Sequence, residues 1–146
     1  MKSKKTRIFS FLVVCYFVCA CVDVRTNHRL SLTDKSDKEI SILYSNHTDQ
    51  RLTENNVAYY IADWNITKPD SSSDIVISGG KDAWHYYIEK GRPKKLFIYI
   101  FDTDTLRKYN GSYSIDDIVG EHKYLKSLSY SEKDLDKIDW KITFNQ

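Results

Sequence analysis

No stretch of this chain constrains its fold as tightly as LFIYIFDTDTL, Leu96 to Leu106. From Lys95 to Phe101 nearly every residue is apolar or aromatic, and no polar residue alternates between them. A strand of that composition has no face to give to water, so it belongs in the centre of a sheet. The run then delivers two aspartates one residue apart, Asp102 and Asp104, followed by Thr105 and Leu106. An Asp-x-Asp at a strand end can present carboxylates to Mg²⁺ or to a substrate phosphate. It can also be the polar start of a helical turn, DTLRKY, with Asp104 or Thr103 accepting backbone N–H bonds.

The flanking segments are short. EISILYS alternates Ile40, Ile42 and Tyr44 with polar residues and reads as a half-buried strand. SNHTDQ supplies turn chemistry. VAYYIADW, Val57 to Trp64, reads as a second strand from its aromatic and β-forming content. DIVIS is a third, broken by Gly79-Gly80. KDAWHYYIEKG predicts a short helix with Trp84, Tyr87 and Ile88 on one face and Gly91 beyond its end. SIDDIVGEH predicts a helical turn opened by Ser114. SEKDLDKI predicts another, with Ser131 as cap and Asp134 three residues on. KYLKSLSY is strand-like, and WKITF closes with Trp140, Ile142 and Phe144 on one face. A doubly wound fold would need longer helices between its strands. The expected fold class is mainly β or α+β: an antiparallel β-sandwich-like core with two to four short helices, after an N-terminal signal peptide and a flexible tether.

The N-terminal segment carries its own message. Lys2, Lys4, Lys5 and Arg7 precede thirteen mostly apolar residues, IFSFLVVCYFVCA. A basic n-region, an apolar h-region and a small residue, Ala20, describe a secretory signal peptide. The apolar run is shorter than the ~20 residues a membrane-crossing helix needs. The three cysteines stand at positions 15, 19 and 21, and cleavage after Ala20 leaves Cys21 first. VCAC resembles a bacterial lipobox, with Val18 and Ala20 at −3 and −1 and an unusual Cys19 at −2, so Cys21 is the expected lipidation site. An ordinary secreted protein cut at the same bond is the alternative.

The expected organisation is a signal peptide over 1–20, a flexible tether over 21–38 and one globular domain over 39–146. The chain has 22 basic and 20 acidic residues, a net of +2. Four of the basic residues lie in the n-region, leaving 18 against 20 and a net of −2. No clustered positive charge remains to capture nucleic acid, so none is expected as a partner.

From Ile40 onward the order of features resembles a group of uncharacterised lipoproteins from gut Bacteroidota. The counterparts are ILYSNHTD, AYYI, ITKPDSS, AWHYYIEK, LFIYIFDTDTL and LKSLSYSEKDLDKIDWKITF. The last is the most specific and matches a family ending like LKRYDLSLEDLEKLNWTITYP. Ser127-Leu128 stands where Arg-Tyr is common, and the final Pro is missing. The resemblance implies a lipoprotein and carries over no catalytic residue.

Other chemistry is thinly supported. Haloacid-dehalogenase-like phosphatases usually follow their second aspartate with Gly-Thr-Leu; here Thr105 follows Asp104 directly, and 44 residues remain after Asp102. Asp116-Asp117 comes too soon to sit on a later strand of such a sheet. His28, His47, His85 and His122 are scattered singly, without the spacing of a zinc site. No catalytic residue, metal or cofactor is expected. Asn46, Asn65 and Asn110 begin sequons, which in a bacterial lipoprotein are ordinary turn asparagines.

Aromatic residues are the remaining lead, because exposed rings can stack on sugars. Alternation places Tyr44, Trp140 and Phe144 inward, and leaves open the direction of Tyr59-Tyr60 and Tyr86-Tyr87. The expectation is a cell-envelope lipoprotein at the outer membrane, held by lipid on Cys21. Its domain would be a non-enzymatic binding or scaffolding module for an envelope protein or glycan. A glycan-binding module is the alternative, and phosphohydrolysis through Asp102 the third reading.

Overall fold

The computed structural model describes residues 25–48 and 54–146; the signal segment and Cys21 lie outside the described residues. In chain order come β1 (Thr26–Asp34), β2 (Ile40–Ser45), α1 (Val57–Tyr60), a 3-10 turn (Asp63–Asn65), β3 (Ile66–Thr67) and β4 (Ser72–Ser78). They are followed by α2 (Ala83–Lys90), β5 (Leu96–Asp102), α3 (Thr103–Tyr109), α4 (Ile115–Gly120), β6 (Lys126–Tyr130), α5 (Glu132–Lys137) and β7 (Lys141–Phe144). No helix among the described residues is long and apolar enough to cross a membrane.

The strands form two sheets, one ordered β4-β1-β7 and the other β3-β2-β5-β6. One core joins them: Leu30 and Leu32 of β1, Ile75 of β4 and Ile142 of β7 pack with Ile40 of β2 and Ile98 and Ile100 of β5. A second cluster lies on the far face of the four-stranded sheet. There Leu43 and Phe101 meet Val57 and Tyr60 of α1, Leu106 of α3, and Ile115, Ile118 and Val119 of α4. The order is sheet, sheet, helical layer. β5 is the inner strand that its composition predicts, buried on both faces and paired with β2 and β6.

Two packed sheets with short helices are the expected fold class; within it, four details differ from the sequence-based expectation. The tether does not extend to Lys38, since Thr26 to Asp34 is the middle strand of its sheet, paired with β4 on one side and β7 on the other. Its two leucines, Leu30 and Leu32, are fully buried; two apolar residues suffice because polar neighbours occupy the alternate positions. The β1–β7 pairing is parallel, so the sandwich is not wholly antiparallel. The helices among the described residues number five rather than two to four. Val57 to Trp64 is not a strand: Val57–Tyr60 is a helix, followed by the 3-10 turn, because the Asn56 side chain accepts from the Ala58 N–H and starts a turn that outweighs β-propensity.

Two helices open on full capping boxes. The Ser114 and Ser131 hydroxyls accept from the backbone N–H of Asp117 and Asp134, whose carboxylates accept in return from the serines. The serine hydroxyl and then its backbone N–H hold both carboxylates below the usual aspartate range. A folded pKa below the unfolded one stabilises the native state above the unfolded value, about 3.9, and this is lost as pH falls through the folded pKa. Urea midpoints are therefore expected to fall between pH 5 and pH 3, and to fall less steeply in the Ser114→Ala, Ser131→Ala double variant.

Candidate ligand-binding cleft

The two long seams of the sandwich are finished differently. On one side α5 links the edge strands β6 and β7 and drives the fully buried Leu135 into the core. On the other, β3 covers only Ile40 and Ser41 of β2, and the outer edge of β4 has no strand partner among the described residues. A cleft of about 680 Å³ lies between these edges. Two contacts bridge it. The Thr67 and Ser73 hydroxyls are 2.5 Å apart, and the Tyr44 hydroxyl donates to the Val76 carbonyl at 3.1 Å.

Five aromatic side chains, Tyr44, Tyr59, Tyr60, Trp64 and Tyr87, line the walls and rim, and local hydrogen bonds decide how several of them point. Glu54 Oε1 accepts from the Asn56 N–H at 2.7 Å, and the Tyr60 hydroxyl donates to the Glu54 carbonyl at 3.1 Å. That contact turns Tyr60 inward, where it is 4% exposed, and leaves Tyr59 46% exposed. After α1, the Asn65 amide donates to the Tyr59 carbonyl at 2.7 Å and ties the 3-10 turn back onto the helix. The indole of Trp64 is thereby held out from the fold, 80% exposed, while Trp84 and Trp140 are each 1% exposed.

The wall tyrosines do not ionise near neutral pH. Burial raises the Tyr44 and Tyr60 hydroxyls above the usual phenol value and pushes Tyr87 up to about 12. The lining includes the carboxylates of Glu54 and Asp74 and, among the described residues, no Lys, Arg or His. It can therefore offer ring faces, amide and hydroxyl groups, and hydrogen-bond acceptors. Asp74 also accepts from His28 at 3.3 Å.

Among the described residues, the other sequence-predicted positions are engaged separately from one another. Asp102 Oδ1 accepts from the Asp104 N–H at 2.9 Å, so Asp102, rather than Asp104 or Thr103, caps α3. Its Oδ2 takes Lys38 Nζ at 3.1 Å, and Asp104 turns outward to Arg107 at 2.9 Å. Asp102→Ala is expected to lower stability by about 1 kcal/mol in a urea melt, with Asp102→Asn losing less because asparagine also caps.

Among the described residues, no three His, Cys, Asp or Glu side chains converge as a metal site would require. His85 pairs with Glu132 at 2.8 Å, which raises its pKa, and His122 pairs with the Tyr124 hydroxyl at 2.9 Å. Asn46 spends its amide on the Tyr87 carbonyl at 2.6 Å, a structural use. Cys21 lies outside the described residues.

Sequence reasoning missed Trp64, which it placed at the end of a strand. Asn56 before VAYY, a helix N-cap residue, was the available signal. The chain matches none of the protein-family models, curated proteins or solved structures with which it was compared.

Proposed function

We propose that this protein is a non-enzymatic carbohydrate-binding module of the bacterial cell envelope, held at the outer membrane by lipid on Cys21. One observation carries the carbohydrate reading: Trp64 stands 80% exposed on a hydrogen-bonded turn at the rim of the cleft between the two sheet edges. Burying an aromatic of this size would contribute roughly 2–3 kcal/mol, so a sequence that sinks its other two tryptophans gains nothing for folding by leaving this one out. A flat ring with Tyr59 beside it suits the C–H face of a sugar, while Asn65, Ser73, Asp74 and Glu54 suit its hydroxyls. Two carboxylates without a cation among the described lining residues disfavour an anionic ligand at this point.

An extended peptide added to β4 is a weaker fit, since the Tyr44 hydroxyl already occupies the Val76 carbonyl on that edge. The resemblance to lipoproteins of gut Bacteroidota supports the envelope placement.

The binding test is a titration of the full-length protein with neutral polysaccharides, read by tryptophan fluorescence. Trp64 is the indole a ligand can reach, so quenching reports on the cleft; a flat titration across glucans, mannans and xylans counts against the reading. The anchor is tested separately. Cys21→Ser is expected to move the protein out of the detergent phase and to stop uptake of labelled palmitate.

A further inference from the structure

We infer that the site is a track of two linked subsites, the second formed by Tyr86 above the Gly79-Gly80 turn, so that the ligand is a linear oligosaccharide rather than a single sugar. This rests on the carbohydrate reading of the cleft. A second depression, about 420 Å³, is bounded by Gly80, Tyr86 and Lys90 and shares Ile77, Ser78 and Tyr87 with the first. The two therefore adjoin along β4, on either side of Tyr87.

Tyr87 is the wall between them. It meets Tyr44 edge-on at 5.7 Å and Trp84 at 6.0 Å, which fixes its ring. Tyr86, one residue earlier and about 100° round the helix, is 61% exposed. The sequence thus repeats one device: Tyr59-Tyr60 and Tyr86-Tyr87 each place one ring in the wall and one on the rim.

The floor of the second subsite is bare, fixed backbone. Gly79 has φ 128°, and a Cβ there would come within 2.9 Å of the Ala83 Cβ. A Cβ on Gly80 would meet nothing within 4 Å, so the space above it is open. The Gly79 N–H donates to the Arg25 carbonyl at 2.7 Å. The amide of the buried Asn27 donates to the Lys81 carbonyl at 2.8 Å. A floor already held in place loses little freedom when a ligand lands on it. Lys81 and Lys90 also line this depression, and an ammonium group can donate to sugar hydroxyls.

From Ser73, which Thr67 contacts just after the Trp64 turn, to Ser78, which lines the depression with Tyr86, the strand advances roughly 17 Å. A single pyranose cannot touch both ends.

The test is calorimetric titration of the full-length protein with gluco-, manno- and xylo-oligosaccharides, from mono- to hexasaccharide. Affinity is expected to climb by about tenfold from the short to the long members, as one further ring stack comes into use. Tyr86→Ala removes the platform, and Gly80→Leu fills the open space above the floor. Both should lose the tenfold increment and keep the affinity for short chains, with thermal melts like wild type. The inference fails if affinity is flat with chain length, or if both variants bind long chains as wild type does while the cleft reading stands. If no member binds the wild type, the carbohydrate reading fails and the second subsite falls with it.

Discussion

Replacing Trp64 with alanine is expected to weaken carbohydrate binding by about 10- to 100-fold, the range of a hot-spot aromatic, and to leave folding almost untouched. The two halves of that expectation have separate origins. At 80% exposure the indole adds little to the core, and surface substitutions of this kind stay within about 0.5 kcal/mol. Binding loses a rigid ring face, and the polar groups around it cannot replace the area. Tyr59→Ala should act in the same direction with a smaller effect, because more of its ring is covered without a ligand. Calorimetric titration beside a thermal melt separates the outcomes. A Trp64→Ala protein that melts normally and still binds like wild type places the ligand elsewhere.

The same substitution at Trp140 should do the reverse. Trp140→Ala is expected to cost about 3–5 kcal/mol, as large-to-small changes of buried aromatics do. For a small domain, with total stability of roughly 5–15 kcal/mol, that is a large share. Trp140 is 1% exposed, with its ring against Trp84 and beneath the Arg29 guanidinium, 4.2 Å from the ring centre. Its indole N–H donates to Asp136 at 2.8 Å, and Asp136 also takes Arg29 at 2.9 Å.

The backbone at Trp140 matters as well. Asp139 and Trp140 both have positive φ, 51° and 58°, and the Trp140 carbonyl accepts from the Ser31 N–H where the β1–β7 pairing begins. The side chain holds the chain in a conformation that most residues avoid. Trp140→Phe keeps most of the packing but loses the indole bond, and should fall between wild type and alanine in a urea melt.

The cap at Ser131 with Asp134, and the helical turn opened by Ser114, could be read directly because they are local; the Asp117 partner of Ser114 came from the structure. β5 was equally legible, since a run with no polar face has one place to go in a sheet. β1 was not. Two leucines among charged and polar residues look like a tether until two neighbouring strands supply the hydrogen bonds and the apolar wall. Asp102 shows an intermediate case: a cap was expected at this turn, and only the geometry chose which carboxylate performs it.

For the site, the sequence by itself determined that aromatic pairs exist at Tyr59-Tyr60 and Tyr86-Tyr87. It could not say which ring of each pair meets water, because that depends on whether the backbone is strand or helix. The tertiary structure decided the rest. Two sheet edges left unjoined make a cleft, and a 3-10 turn tied to the end of α1 sets Trp64 on its rim. Covering an apolar surface requires partners that meet only after the chain has folded, so an uncovered ring is visible only in the folded molecule.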